Sequence, residues 1–347
     1  MERKGIMLAG NILTDTVKMI GTYPEKGMLV TITDIKRGVG GSVPNSGMDL
    51  AIIDPSLPLF ACGRVGDDDN GVYLINRMKE VGMDVSAIKR AKNGTSFSDV
   101  MTVEGTGERT FFHYRGANAE FCIDDVDVDA ITAKMFHLGY LLLLDKVEEE
   151  DEENGNKEAR LLAEVQAKGI KTSVDVVSES SGHFAKVVVP CLKYCNYVII
   201  NEIEASQVSG NVARDENGNL VESEVWASME FIASKGVKDA VIVHAPEKGF
   251  ILRADGSKTC VPSLKLPKGY IKGSVGAGDA FCAGCLYGLY NGWNDEETLK
   301  FSAAAAACNL AEADSVTGMK SAEQVWETYN KYCKREVGGC YENKSHF

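Results

Sequence analysis

GSVGAGDAFCAGCLYGL, residues 273–289, is the stretch around which the rest of this chain is organised. Gly276 and Gly278 lie on either side of a single alanine, so the backbone there can turn tightly and approach a ligand closely. Asp279 follows at once, and small or apolar residues then recur at the spacing of one helix face. The stretch therefore predicts a loop that leads into a helix N-terminus, with a carboxylate at the junction.

The chemistry expected at such a junction depends on that carboxylate. Backbone N–H groups and the helix dipole favour an anion at a helix N-terminus. A carboxylate there repels a static phosphate, but it suits a reaction in which a proton leaves a nucleophile. Gly-x-Gly-Asp also caps ordinary helices, so the loop alone leaves a structural and a catalytic interpretation open. The stretch has neither the Gly-Lys-Ser/Thr ending of a P-loop nor the glycine spacing of a dinucleotide-binding fingerprint.

Composition limits the classes of function. The chain has 347 residues, of which 44% are hydrophobic, and a formal net charge of -13. We therefore expect neither nucleic acid nor an anionic membrane as a general partner. No uninterrupted apolar run reaches the length of a membrane helix, and the N-terminus does not read as a secretory signal. The ten cysteines are scattered without paired zinc spacing, which favours reduced core cysteines and a cytoplasmic location.

The order of apolar and amphipathic segments predicts the fold class. A buried strand is expected over 5–12, and strands alternate with helices from about residue 136 onward. This alternation predicts an α/β fold with a mostly parallel central sheet and helices on both faces. We expect a single domain over residues 1–347, with a last helix at 322–334 and a polar tail from Gly338.

Two segments depart from this alternation. These segments, at about 13–37 and 95–116, carry apolar side chains at nearly every second position, which is typical of β-ribbons. Because they are set apart from the α/β body, we predict that they form a small β-sheet that acts as a lid over the site.

Polar residues near the first strand are candidates for ligand binding. Asp15 lies just past that strand, where ligands bind in α/β sheets, although it could equally be a turn residue. Gly40 and Gly41 permit close approach of the backbone, and Asn45 can donate to and accept from a hydroxyl at once. The alternative for this second group is a glycine turn and an asparagine-capped helix that opens at Ser46.

Three motifs in this order resemble those of the ribokinase-like (PfkB) carbohydrate kinase family. The first is Gly40-Gly41-x-x-x-Asn45 with GRVGDD at 63–68, the second is GAGDAF at 276–281, and the third is Asn201-x-x-Glu204. The resemblance extends from about Gly10 to Lys334. It implies ATP-dependent phosphorylation of a hydroxymethyl group on a sugar or sugar-like ring, with a lid that closes over the sugar.

The resemblance also implies residue roles. Asp279 would be the general base, and the backbone of Gly276, Ala277 and Gly278 would form the anion hole. Asn201 and Glu204 would place Mg²⁺, mostly through water. The implied sugar-binding residues are Asp15, Gly40, Gly41 and Asn45, and the implied nucleotide-binding residues are Asn201, His244, Gly249, Gly276, Gly278 and Asn309. Arg115, at the end of the second lid segment, is a further substrate-binding candidate that could contact a carboxylate, a phosphate or a ring hydroxyl, with an exposed lid arginine as the alternative.

The chain departs from the family pattern at three places. Gly273-Ser274 stands where the family has Asp-Thr beside a monovalent-ion site, so potassium activation is not expected. The segment 244–249 keeps only the last glycine of the family's nucleotide loop, which leaves the nucleotide donor open. Residues 42–44 are Ser-Val-Pro and lack the lysine of ribokinases, so ribose is not indicated.

Other functions remain open at this point. A nucleoside kinase of the same family would need an apolar slot beside the sugar site, and a non-catalytic sugar-binding regulator would bind sugar without releasing ADP. An NAD-dependent oxidoreductase is disfavoured, because no Gly-x-Gly-x-x-Gly follows the first strand. By family analogy, the lid sheet is also a candidate homodimer surface.

Overall fold

The computed structural model describes residues 2–106, 108–178 and 182–332. The strands are β1 Ile6–Gly10, β2 Leu13–Ile20, β3 Ile32–Gly40, β4 Leu59–Val65, β5 Asp84–Arg90, β6 Ser96–Val103, β7 Arg109–Tyr114, β8 Met135–Leu141, β9 Glu150–Asp151, β10 Gly155–Asn156, β11 Lys171–Val176, β12 Tyr197–Asn201, β13 Ala240–His244, β14 Lys248–Arg253 and β15 Lys258–Pro262.

The helices are α1 Ser42–Ile53, α2 Asp69–Glu80, α3 Lys157–Ala167, α4 Phe184–Leu192, α5 Glu202–Ser209, α6 Glu222–Ser234, α7 Ala277–Asn291, α8 Asp295–Asn309 and α9 Ala322–Lys331. Short 3₁₀ turns lie at Gly116–Glu120, Ile123–Asp125 and Val128–Ala130. The last helix was predicted to continue to residue 334, but it ends at Lys331 and Tyr332 is extended, with φ -102° and ψ 141°. Residues 333–334 and the predicted polar tail from Gly338 lie outside the described residues.

A nine-stranded sheet forms the body of the protein, in the order β15-β14-β13-β12-β11-β8-β1-β4-β5. Neighbouring strands from β13 to β5 run parallel, and the β13-β14-β15 end is antiparallel. The prediction of a mostly parallel sheet is confirmed. The carboxyl ends of the parallel strands therefore meet at one edge, where α/β proteins bind ligands.

Alternating side chains of the sheet build a hydrophobic core on each face. Ile199 and Ile242 belong to one core, which also contains residues of α1, α7, α8 and α9. Their neighbours Val198 and Val241 belong to the other core, with residues of α3 to α6. Because successive side chains of a strand point to opposite faces, a continuous apolar strand is buried on both sides.

A separate four-stranded sheet, which we call the lid sheet, has the order β3-β2-β6-β7. Strands β2 and β6 pair in parallel, and the two outer pairs are antiparallel. Its strands come from the two segments that were predicted to leave the α/β alternation. Only residues 11–12 separate β1 from β2, and only Gly41 separates β3 from α1, so the lid sheet is joined closely to the body.

Helix α1 begins at Ser42, four residues before the predicted start. Gly41 precedes it with φ 88°, and a Cβ on Gly41 would lie 2.6 Å from the carbonyl oxygen of Asn11. Glycine is the residue that takes this conformation without strain, so the chain enters the helix directly after it. Pro44 is tolerated because it stands in the first turn, where its missing N–H is not needed. Asn45 is thus inside the helix and is not its cap.

None of the helices in the described part of the chain is both long enough and apolar enough to cross a membrane.

Candidate active site

A cavity of about 710 Å³ opens between the lid sheet and the carboxyl ends of the central strands. The lid sheet contributes Leu13, Asp15, Ser98, Arg109, Phe111 and His113 to its wall. The rest of the wall is formed by Gly41, Asn45, Tyr140, Leu143, Asp175, Val176, Val177, Ser178, Asn201, Glu204, His244, Ser274, Val275, Gly276, Gly278 and Asp279.

Asp279 lies in the first turn of α7 and is held on both carboxylate oxygens. Tyr140 Oη donates to Oδ1 at 2.7 Å, and Asn45 Nδ2 donates to Oδ2 at 2.9 Å. Burial raises the pKa of Asp279 to about 6, and these two hydrogen bonds oppose that rise. The carboxylate is thus oriented and mostly ionised at neutral pH, as a general base must be.

The glycine turn before Asp279 leaves a helix N-terminus open to the cavity. Gly276 is left-handed, with φ 75°, and a Cβ there would lie 2.7 Å from the backbone oxygen of Ser315. Among the described residues, no side chain caps the N-terminus of α7. The first N–H groups of a helix have no intrahelical partner, so this end can receive an anion.

Four carboxylates face or line the same cavity. Burial, followed by the charge of Asp279, raises the pKa of Asp15 to about 7. Burial raises the pKa of Asp175 well above its usual range, with Glu204 and Asp279 adding to the rise. Burial raises the pKa of Glu204 to about 7, against hydrogen bonds from Asn201 and Ser178. So many acidic groups in one cavity suit a hydrated cation and sugar hydroxyls.

The motif Asn201-x-x-Glu204 forms a capping box at the start of α5. The Asn201 side-chain oxygen accepts from the N–H of Ile203 at 2.9 Å and of Glu204 at 2.8 Å. Glu204 Oε2 accepts from the Asn201 N–H at 2.9 Å, and Oε1 accepts from Ser178 Oγ at 2.8 Å. Both residues therefore have a structural role. The Asn201 side-chain oxygen already accepts two hydrogen bonds, whereas the Glu204 carboxylate keeps acceptor capacity that suits contact with a metal through water.

Arg109 is the only lysine or arginine among the described residues that line the cavity. It is half-buried, and Nη1 lies 3.4 Å from Ser274 Oγ, beside the glycine turn. It makes no salt bridge with a carboxylate in the described part of the chain, and desolvation lowers its pKa. An unpaired cation at this position suits an anionic group of a ligand.

Nine residues that the sequence analysis singled out line the cavity: Asp15, Gly41, Asn45, Asn201, Glu204, His244, Gly276, Gly278 and Asp279. Ala277 follows Gly276 as the first residue of α7. Gly40 makes room for Asp15, because a Cβ on Gly40 would lie 2.5 Å from Asp15 Oδ2.

Three further candidates are placed elsewhere. Arg115 Nη1 donates to Asp145 Oδ1 at 2.6 Å. Gly249 packs against the side chains of Leu299 and Phe281. Asn309 is buried and donates to the carbonyl oxygen of Ser315 at 2.5 Å. None of the three is among the cavity-lining residues.

Several cavity residues were not identified as site residues from sequence. Tyr140 and Asp175 stand near the carboxyl ends of β8 and β11, and Arg109 and His113 lie on β7. The one sequence feature that could have identified them is their position at predicted strand ends or in the predicted lid segments. No short motif distinguishes them from other polar residues at such positions.

Comparison with known proteins adds three observations. A family model described as pfkB family carbohydrate kinase matches residues 10–322. A 5-dehydro-2-deoxygluconokinase of Clostridium perfringens is 27% identical over 324 residues, which cover 88% of this chain and 87% of that protein. Two ribokinase structures have the same fold with TM-scores of 0.77, and each comparison covers 94% of this chain and 99% of the other. One is from Thermotoga maritima at 20% identity, and one is from Arabidopsis thaliana at 18% identity, in complex with ribose and ATP.

Proposed function

The chain belongs to the pfkB family of carbohydrate kinases, and we propose that it transfers the γ-phosphoryl group of ATP to a hydroxymethyl group of a sugar, with Asp279 as general base. The observation that carries this proposal is the position of a buried, doubly hydrogen-bonded carboxylate at an open helix N-terminus. A proton acceptor and an anion site thereby stand side by side, as phosphoryl transfer to a hydroxyl requires.

In the proposed reaction, the Asp279 carboxylate accepts the proton of the sugar hydroxyl as its oxygen attacks the γ-phosphorus. Tyr140 and Asn45 orient the carboxylate. The backbone N–H groups of Gly276, Ala277 and Gly278 are aimed at the charge that develops on the transferring group. Fixed donors of this kind stabilise developing charge without having to reorganise during the reaction.

The residues present fit a magnesium ion, since Mg²⁺ prefers oxygen ligands and retains water. We propose that Glu204 and Asn201 hold it through water, with the carboxylate of Asp175 nearby. When bound, Mg²⁺ would neutralise charge on the phosphates. For the nucleotide we propose His244, Asn201, Gly276 and Gly278, which reach the same cavity.

For the sugar we propose contacts from Asp15, Gly41 and Asn45. The substrate class favoured by the cavity is an acidic sugar, because Arg109 offers a charge partner for a carboxylate at the lid. The Clostridium perfringens relative is named for a sugar acid of this kind. Phosphate is the other anion that Arg109 could contact, since the glycine turn lies beside it.

A nucleoside remains the second candidate substrate. Phe111, Leu143 and Val177 line the cavity and present apolar surface that a nucleobase could contact. The decisive experiment is ADP release by the purified protein with Mg²⁺-ATP and a panel of neutral sugars, sugar acids and nucleosides. Turnover of a sugar acid with phosphorylation of its hydroxymethyl group would support the proposal. Sugar binding without ADP release would instead indicate a non-catalytic regulator.

We also propose a homodimer through the lid sheet. Its outer surface exposes large apolar side chains, among them Ile35 and Phe112, whose exposed fractions are 60% and 54%. Apolar side chains grouped on one sheet commonly mark an interface. Sedimentation of the wild type and of Phe112→Glu tests this: we expect the dimer to dissociate in the variant, and a monomeric wild type would rule the dimer out.

A further inference from the structure

A buried cluster of His137, Asp175 and Cys282 lies behind the cavity wall. The three residues come from β8, β11 and α7, and one potential ligand atom of each lies within 4.8 Å of the other two. His137 Nε2 and Cys282 Sγ are 3.8 Å apart. Asp175 also lines the cavity, so the cluster is connected to the space in which substrates bind.

The imidazole of His137 is already oriented as a metal ligand would be. Its Nδ1 lies 2.9 Å from Ser173 Oγ. The tautomer that donates from Nδ1 to Ser173 leaves the Nε2 lone pair facing Ser42 Oγ at 3.4 Å and Cys282 Sγ at 3.8 Å, so the ion would replace the Ser42 hydroxyl as the partner of Nε2. Metal-binding histidines are commonly held by such a hydrogen bond from the opposite ring nitrogen. Burial lowers the pKa of His137 to about 3, so the ring is neutral, which is the form that binds metals.

We propose that His137, Asp175 and Cys282 bind one soft divalent cation of the zinc class, and that this ion inhibits the kinase. Nitrogen, thiolate and carboxylate together form a ligand set typical of Zn²⁺. With Zn–N near 2.0–2.1 Å and Zn–S near 2.3 Å, an ion bridging the 3.8 Å separation would subtend an angle of roughly 120°. Asp175 would turn toward the ion to complete the three protein ligands.

Binding requires the Cys282 thiol to lose its proton. The cation forms bonds to the thiolate sulfur and to an oxygen of Asp175, whose pKa is also raised; the protons released from both groups leave to solvent, so no oxidant or reductant is needed. Burial raises the pKa of Cys282 well above its usual range. Affinity should therefore increase with pH. Mg²⁺ does not compete effectively, because it prefers oxygen ligands to thiolate.

The inhibitory effect follows from the neighbours of the cluster, and it rests on the proposed role of Asp279. Coordination would withdraw Asp175 from the cavity in which the substrates bind. Cys282 is one helical turn after Asp279, so movement of the ligands toward the ion would also shift the turn that carries the base.

Cobalt(II) gives a direct test of the site, since thiolate coordination produces a charge-transfer absorption in the near ultraviolet. The full chain is titrated with Co²⁺ as wild type, Cys282→Ser and Cys285→Ser. Cys285 is the matched control, because it lies on the same helix and is also buried, but its Sγ is 3.2 Å from Ser302 Oγ on α8. Signals from the other cysteines should be common to all three proteins.

We expect one equivalent of Co²⁺ to give the band in the wild type and in Cys285→Ser, and the band to be absent in Cys282→Ser. His137→Gln should weaken binding at least about 10-fold, since even second-shell changes at metal sites have effects of that size. A band of equal strength in Cys282→Ser would overturn the site. Thermal melts confirm that each variant is folded.

Activity is then measured in chelator-buffered Zn²⁺ with Mg²⁺-ATP present. The wild type and Cys285→Ser should be inhibited, while Cys282→Ser should need at least about 10-fold more free Zn²⁺ for the same inhibition. Equal inhibition of all three would overturn the inhibitory role. The Asp279→Asn variant should still show the cobalt band, which separates a failure of the metal site from a failure of the proposed catalytic base.

Discussion

Tyr140 Oη donates a hydrogen bond to Asp279 Oδ1 at 2.7 Å, on the carboxylate whose other oxygen accepts from Asn45 at 2.9 Å. Both oxygens of the proposed base are thus engaged before any substrate is present. The hydroxyl of an incoming sugar must replace one donor or share an oxygen with it. The tyrosine therefore affects both the orientation of the carboxylate and its affinity for protons.

The Tyr140→Phe variant tests this relationship. The hydrogen bond from Tyr140 stabilises the ionised form and so lowers the pKa of Asp279. Its removal should raise that pKa and move the acidic limb of kcat/KM to higher pH. Profiles of the wild type and the variant between pH 5 and pH 8 provide the measurement. An acidic limb that stays in place would show that Tyr140 does not tune the base.

Removal of the base itself should nearly abolish turnover. Asp279→Asn retains the size of the side chain but cannot accept a proton, so kcat should fall by about 10²–10⁴, the usual contribution of general base catalysis. ADP release measures the loss. Binding of the sugar, followed by calorimetry, should change far less and serves as the control. Turnover close to that of the wild type would eliminate Asp279 as the base.

The wild-type pH profile should reflect the ionisation of Asp279. Since the carboxylate accepts a proton, it must be ionised, and its pKa is about 6. We expect kcat/KM to be constant well above that pH, to reach half its maximum near pH 6, and to fall further as the pH decreases. The residual activity of Asp279→Asn should lack this limb. A limb that persists in the variant would belong to another group, such as Asp15 or Glu204.

Replacement of Arg109 should identify the anion at the lid. Arg109→Gln should lower kcat/KM at least about 10-fold, because bidentate recognition by arginine is lost. If kcat/KM falls only with acidic sugars, and does so through a higher KM, the partner of Arg109 is a carboxylate of the sugar. A loss of kcat with every substrate would indicate the phosphoryl group. Arg77→Gln, an α2 arginine paired with Glu80, is the control and should behave as the wild type.

Asp49 should be a source of instability at neutral pH. This α1 residue is fully buried, and neither carboxylate oxygen has a hydrogen-bond partner among the described residues. Burial, with the charges of Asp279 and Asp314, raises its folded-state pKa well above 3.8. Asp49→Asn removes this titration and should therefore increase the free energy of unfolding at pH 8 by at least about 1.4 kcal/mol, the equivalent of one pKa unit.

The sign of that effect follows from proton linkage. A carboxyl group with a raised folded-state pKa favours folding while it is protonated, and that contribution is lost as the pH rises above the unfolded value. The advantage of Asp49→Asn should thus shrink toward pH 4. Urea unfolding at both pH values gives the comparison, with the exposed Asp124→Asn as control. A constant difference between the two pH values would contradict a titrating Asp49.

Periodicity and motifs predicted much of this molecule, because they are properties of local sequence. Alternating strands and helices indicated the parallel sheet, and period-2 segments indicated the lid sheet. Asn45 and Asp279 were identifiable because glycines of a motif stand beside them, and Asp15 because it follows the first strand closely. The start of α1 at Ser42 was missed, since it depends on the left-handed Gly41. Asp175 depends on sheet order, which joins residues far apart in the chain.

The connection between β3 and α1 has a mechanical consequence. The lid strand ends at Gly40, and the helix that carries Asn45 starts at Ser42, so one left-handed glycine acts as the coupling between them. Asp15 is the third residue of the lid strand β2, and it pairs with Gly38 of β3. A sugar held by Asp15 and Asn45 would therefore contact the lid sheet and helix α1 on both sides of Gly41. The same molecule would hold the lid strand and helix α1 together, so lid closure would depend on the backbone at Gly41.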